Sequence, residues 1–89
     1  MLKPSYTTQF KKDYKLQLKR HQNLNLLDSI IKMLVKEELL PVNNRDHPLR
    51  GNYNGYRECH IEPDWLLIYK IEYDSICFVR TGTHSDLFK

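Results

Sequence analysis

A chain of 89 residues, 40% hydrophobic and 28% charged, has the make-up of one small globular domain and not of a disordered segment. Its net charge of +3 is mildly basic, which suits nucleic acid or an acidic partner without demanding either. The start, MLKPSYTTQF, has no apolar signal region, and no run reaches the roughly 20 apolar residues of a membrane span, so a cytoplasmic protein without membrane contact is expected. In chain order, Leu2 to Ser5 predicts a short strand, and Pro4 favours a sheet edge. Thr7 or Thr8 caps a first helix. Phe10, Tyr14 and Leu18 recur in it near helical spacing, among Lys11, Lys12, Lys15, Lys19 and Arg20, and it ends near His21, a surface residue. Asn23 or Asn25 caps a second helix with the apolar stripe Leu27, Ile30, Ile31, Leu34 and Val35, and Pro41 stops it.

From Leu40 to Asn54 the chain is rich in Pro, Asn and Gly and reads as a loop, which carries His47. Three strands follow. Tyr56 to Ile61 is the first, Glu62-Pro63-Asp64 a turn, and Trp65 to Glu72 a continuous apolar run suited to a central strand. Tyr73-Asp74 turns the chain again, and Ile76 to Thr81 is the third strand, ended by Gly82. Strand, two helices and an antiparallel three-strand meander joining one sheet make a small α+β fold. Cys59 and Cys77 sit in no CxxC pattern and are expected to be reduced and structural.

The chemistry-bearing residues gather in the second half. His47 lies in RDHPLRG, His60 and Asp64 in GYRECHIEPDWLLIYK, and His84 in RTGTHSDLF. An imidazole gives or takes a proton near neutral pH, and arginine holds phosphate. That set suits metal-free RNA cleavage, which needs a 2′-hydroxyl deprotonated, a phosphorane stabilised and a leaving 5′-oxygen protonated. His60 and Asp64 flank the tight turn, so the carboxylate is within reach of the imidazole across the hairpin end, fixing its tautomer and favouring its charged form. Taken alone, that spacing better describes a turn-capping Asp beside a solvated surface His. Arg80 alternates with Phe78 and Ile76 and is a phosphate clamp or a buried ion-pair member; Arg57 and Arg50 are weaker candidates for the same task. The cations of the first helix are a solvated face that also attracts RNA in a salt-dependent way. Three imidazoles and a carboxylate are an acceptable Zn²⁺ set, but no pair has an HExxH-like spacing. There is no Gly-rich phosphate loop and no Ser placed as a nucleophile beside a His.

In order and spacing, the strings DHPLRG, GYRECHIEPDWLLIYK and RTGTHSDLF resemble the YafQ branch of the RelE-like bacterial toxins. The resemblance covers nearly the whole chain and is dense from Asp46 to Phe88. It implies a single RelE-like domain over residues 1–89. The implied activity is that of an mRNA interferase, a ribosome-dependent endoribonuclease that cuts mRNA in the ribosomal A site. It places His47, His60, Asp64, His84 and Phe88 in the site, with His84 a leading general acid or base and no metal or other cofactor. Phe88 would stack on a base or plug the C-terminus against the sheet. The implied partners are a small acidic antitoxin with a ribbon-helix-helix DNA-binding part, operator DNA only through that antitoxin, and ribosome-bound mRNA with contacts to 16S rRNA. The alternatives are a RelE-like module that occupies RNA or the ribosome without cutting, and a plain interaction domain.

Overall fold

The computed structural model describes residues 1–88. Five strands form one sheet in the order β1-β5-β4-β3-β2. They are β1 (Lys3–Tyr6), β2 (His47–Pro48), β3 (Arg57–Glu62), β4 (Trp65–Glu72) and β5 (Ser75–Gly82). The meander β3-β4-β5 is antiparallel, and β1 lies parallel to β5 at one edge, where the missing amide hydrogen of Pro4 is tolerated. The other edge is β2, a two-residue strand inside the stretch expected to be all loop, paired with β3 through His47 and Glu58. The helices are α1 (Thr8–Lys19), α2 (Leu24–Val35) and a four-residue α3 (His84–Leu87) beyond the elements expected.

The caps explain the helix starts. Thr7 Oγ1 accepts from the Phe10 amide and Asn23 Oδ1 from the Asn25 amide. His21, just past α1, takes a left-handed φ of 61° that ends the helix. The buried face of α2 is Leu27, Ile30 and Leu34, as its stripe predicts. That of α1 is Phe10, Asp13 and Gln17, while Leu18 is exposed. The reason is a polar contact: the Asp13 carboxylate turns inward to meet β5, and the sheet-facing stripe follows it.

Both faces of the sheet are covered. On the helix face Leu27, Leu34, Phe10, Cys59, Leu67, Tyr69, Ile76 and Phe78 form the main core. On the opposite face Leu66, Ile68 and Leu87 form a smaller one, flanked by Leu49, Tyr53, Tyr56 and Val79. β4 is therefore buried on both sides, which is why Trp65 to Tyr69 is uninterruptedly apolar. Trp65 Nε1–H donates to Thr81 Oγ1, whose hydroxyl donates to the Leu66 carbonyl, fastening β4 to β5.

Two irregularities set which side chains share a face. The β4–β5 register passes from Ile68↔Arg80 to Tyr69↔Phe78, so Val79 bulges. Arg80 thus pairs with Ile68 and leaves the Phe78 face, so the alternation expected from Ile76 through Phe78 to Arg80 is broken there. The β3–β4 register passes from His60↔Leu66 to Glu62↔Trp65, leaving Ile61 unpaired. No helix among the described residues is long and apolar enough to cross a membrane.

Candidate active site

The imidazoles converge at the end of the sheet on the face opposite α1 and α2. β3 presents Glu58 and His60 to one face, two residues apart. The edge strand β2 brings His47 beside Glu58, and α3 starts with His84 where β5 runs out. The ring centres of His47 and His60 are 6.4 Å apart and those of His60 and His84 are 5.8 Å apart. Three imidazoles therefore form a row with a carboxylate at each end.

At one end Asp64 Oδ1 accepts both from the His84 amide, at 2.9 Å, and from His84 Nδ1, at 2.5 Å. Those two bonds, the backbone one first, hold the Asp64 carboxyl below its ordinary range. The expected Asp64–His60 pair does not form. The turn directs Asp64 away across the hairpin end, and His60 Nδ1 instead faces the Pro63 carbonyl at 3.3 Å. With the Nδ1 proton of His84 committed to Asp64, Nε2 is the nitrogen left to exchange a proton.

At the other end His47 Nδ1 lies 2.6 Å from the Arg45 carbonyl, and Nε2 lies 3.0 Å from Glu58 Oε2. Both partners are acceptors, so both bonds are made only when each ring nitrogen carries a proton. Glu58 is buried, and its Oε1 has no hydrogen-bond partner among the described residues. Asn44 Nδ2 donates to the His60 carbonyl at 2.7 Å, pinning the loop before β2 to β3. A groove of about 950 Å³ runs past His60 between Leu26, the loop at 42–45 and Glu62-Pro63.

The arginines divide. β1 pairs with β5 only as far as Phe78, so Arg80 reaches round the open edge. Its Nε and Nη2 donate to Asp13 at 2.8 and 3.2 Å, and Asp13 Oδ2 also accepts from the Thr81 amide. The bond to Asp13 raises the Arg80 pKa above its ordinary value. Arg57 is not brought to the imidazoles. It pairs with Tyr69 on the helix face, where Asp46 accepts from Arg57 Nε at 3.2 Å and from Tyr69 Oη at 2.5 Å. Arg50 is exposed in the loop between β2 and β3 and forms no ion pair among the described residues. Phe88 stands edge-on to Tyr53, ring centres 5.6 Å apart, and keeps 40% of its surface exposed. The plug is its neighbour Leu87, buried against Leu66 and Ile68.

Three contributors escaped the sequence. Glu58 was legible as the residue two before His60, which a strand puts on the same face. Asp86 was legible as the fourth residue of a Thr83 capping box. Asp13 was not, since nothing local separates it from a solvated helix carboxylate.

A family model described as bacterial toxin of type II toxin–antitoxin system, YafQ, matches residues 2–89. The mRNA interferase toxin YafQ of Escherichia coli K12 is 48% identical over 84 residues, covering 93% of this chain and 91% of the relative. The crystal structure of the Escherichia coli DinJ–YafQ complex contains a chain with a TM-score of 0.94 and 43% identity, all of both chains being covered. A metal-bound toxin from Helicobacter pylori has a TM-score of 0.92 and 39% identity over 99% of this chain and 100% of that one. The metal is a property of that protein; here the described residues include no group of three or more His, Cys, Asp or Glu arranged to hold a metal ion, their contacts being pairwise. With the family model spanning almost the entire chain and identity near one half over nearly its whole length, this protein belongs to the YafQ family of type II toxin–antitoxin toxins.

Proposed function

We propose that this chain is an mRNA interferase: a ribosome-dependent endoribonuclease that cuts mRNA in the A site by metal-independent acid–base catalysis. The observation that carries the reading is the row of three imidazoles with Asp64 on His84 and Glu58 on His47. His60 and His84, 5.8 Å apart, lie within reach of one phosphodiester. The ribose 2′-oxygen attacks the adjacent phosphorus and its proton passes to one imidazole. The P–O5′ bond breaks, and a second imidazole in its protonated form gives the 5′-oxygen a proton. The products are a 2′,3′-cyclic phosphate and a 5′-hydroxyl. Asp64 orients His84, or takes the proton itself. Arg80, steadied by Asp13, offsets the charge of the phosphorane. His47 extends the imidazole row, and Phe88 offers a half-exposed ring for base stacking.

The partner proposed is a small acidic antitoxin that wraps the toxin and carries a ribbon-helix-helix part, through which alone the pair meets operator DNA. The complex of the Escherichia coli relative with DinJ supports a protein partner of this kind. Contacts to 16S rRNA would come from the exposed lysines of α1.

Primer-extension mapping of a reporter mRNA on purified ribosomes tests the proposal, with wild-type protein and His84→Ala, each stripped of metal with EDTA and desalted. Expected are cuts within the A-site codon that require the ribosome, survive stripping and vanish in the variant. Cuts lost on stripping would overturn the metal-independent chemistry. A stalled but intact message would make the chain a non-cleaving ribosome binder.

A further inference from the structure

The helix that begins with His84 is too short to hold itself. Four residues make barely one turn, and an isolated turn of helix is unstable in water. Its position must come from what touches it. Leu87 anchors one side by burial, and Asp64 takes the His84 amide. The third anchor lies far away in the chain. Arg20, the residue capping the C-terminus of α1, donates from Nη1 to Asp86 Oδ2 at 2.6 Å and from Nη2 to Asp86 Oδ1 at 3.1 Å. This two-pronged contact is the most directional bond available to a guanidinium.

Asp86 is also the N3 residue, the fourth from Thr83, of the capping box of α3. Its Oδ2 accepts from the Thr83 amide at 2.9 Å, and Thr83 Oγ1 accepts from the Asp86 amide at 3.1 Å. Gly82 makes room for this: a Cβ there would stand 2.8 Å from Asp86 Oδ2 and 3.0 Å from Asp86 Cβ. One carboxylate thus joins the cap of α3 to the end of α1, and the residue between Thr83 and Ser85 is His84.

Resting on the nuclease reading above, we infer that Arg20 is a positioning residue of the site: through Asp86 it sets the orientation of α3 and hence of His84 relative to His60. Arg20 acts through Asp86 and needs no contact with RNA. The latch explains why a cation of an otherwise solvated helix face is spent on an intramolecular bond, whereas Lys11, Lys12, Lys15 and Lys19 form no ion pair among the described residues.

The test is a double-variant cycle with Arg20→Ala, Asp86→Asn and both together. Asparagine keeps an acceptor for the Thr83 amide, so the cap survives while the charged latch is lost. Single-turnover cleavage on programmed ribosomes is measured at saturating and at half-saturating ribosome concentration. The His84 ring cross-peaks of the free protein are recorded at one pH, a readout independent of cleavage. Each single variant is expected to slow the saturating rate about tenfold or more, since small misplacements of a reacting group are costly. The half-saturating concentration is expected to stay unchanged, the double variant to be no slower than the slower single one, and the His84 cross-peaks to move.

If Arg20→Ala raises only the half-saturating concentration and Asp86→Asn does nothing, Arg20 touches RNA directly and the inference is overturned. Unchanged rates and unchanged His84 signals, with only a lower melting temperature, would reduce the pair to a structural staple and overturn it too. Should the wild-type protein not cut at all, the nuclease reading fails by itself. The His84 cross-peaks then decide the latch: movement in Arg20→Ala keeps it, and no movement removes it.

Discussion

The two carboxylates at the ends of the imidazole row are built differently, and the difference sets what each substitution does. Asp64 is exposed and is held to His84 by a backbone and a side-chain bond. Its loss changes the orientation and tautomer of one ring without opening the core. Asp64→Asn is therefore expected to cut the single-turnover rate by about a hundredfold, the scale of general acid–base assistance, while leaving the urea-unfolding midpoint near that of the wild type. An unchanged rate would remove Asp64 from the mechanism. Glu58 is buried, and its one partner among the described residues is His47. His47→Ala strands that carboxylate and is expected to cost about 1–3 kcal/mol of stability by urea unfolding, whereas Glu58→Gln, which removes the buried charge itself, costs less. The reverse order would mean that His47 does not serve Glu58. Spacing alone suggested that Asp64 belonged to His60, four residues away. The carboxylate belongs to His84, twenty residues on, because α3 folds back over the hairpin end, and no local pattern carries that information.

Elements were legible where periodicity or a cap marks them. The α2 stripe, the edge strand at Pro4, the turn at Glu62-Pro63-Asp64 and the continuous run of β4 were all readable, since each reflects a local cause. The two-residue β2 and the four-residue α3 were not, being shorter than any pattern a window detects; β2 is held by its pairing with β3, and α3 by the burial of Leu87 and its contacts with Asp64 and Arg20. The bulge at Val79 is equally invisible, yet it decides which face Arg80 serves. At α3 a pH effect follows. The Arg20 guanidinium, together with the Thr83 amide and hydroxyl, holds the Asp86 carboxyl well below the usual carboxylate range. A carboxyl with a lower pKa folded than unfolded contributes stability in full above its unfolded value, near about pH 4, and loses it as pH falls toward the folded one. In acid urea titrations the wild type is expected to lose stability faster than Asp86→Asn over that window. Parallel losses would show that the carboxylate contributes nothing. Gly82→Ala is expected to destabilise the fold and misplace α3, because the added methyl must displace Asp86.

At the scale of the molecule, a domain this small carries a modest stability margin, and its sheet is cored on both faces. One consequence concerns the thiols. Cys59 is buried in the main core, and burial foremost pushes its thiol pKa far up, while Cys77 on β5 is partly exposed. Alkylation of the folded protein is expected to label Cys77 first and Cys59 only on unfolding; simultaneous labelling would show the core to be open. The same two-sided sheet gives the site its rigidity. The helix face supplies most of the hydrophobic burial, and the opposite face is free to gather His47, His60 and His84 at one end.

The central claim is that these imidazoles act as acid and base on RNA, and the pH dependence of single-turnover cleavage on programmed ribosomes tests it most directly. A bell between about pH 5 and pH 9 in the wild type, with no cleavage by His84→Ala anywhere in that range, is the expected result, since one imidazole must be neutral while another is protonated. A profile flat across that range in the wild type would contradict paired imidazole catalysis.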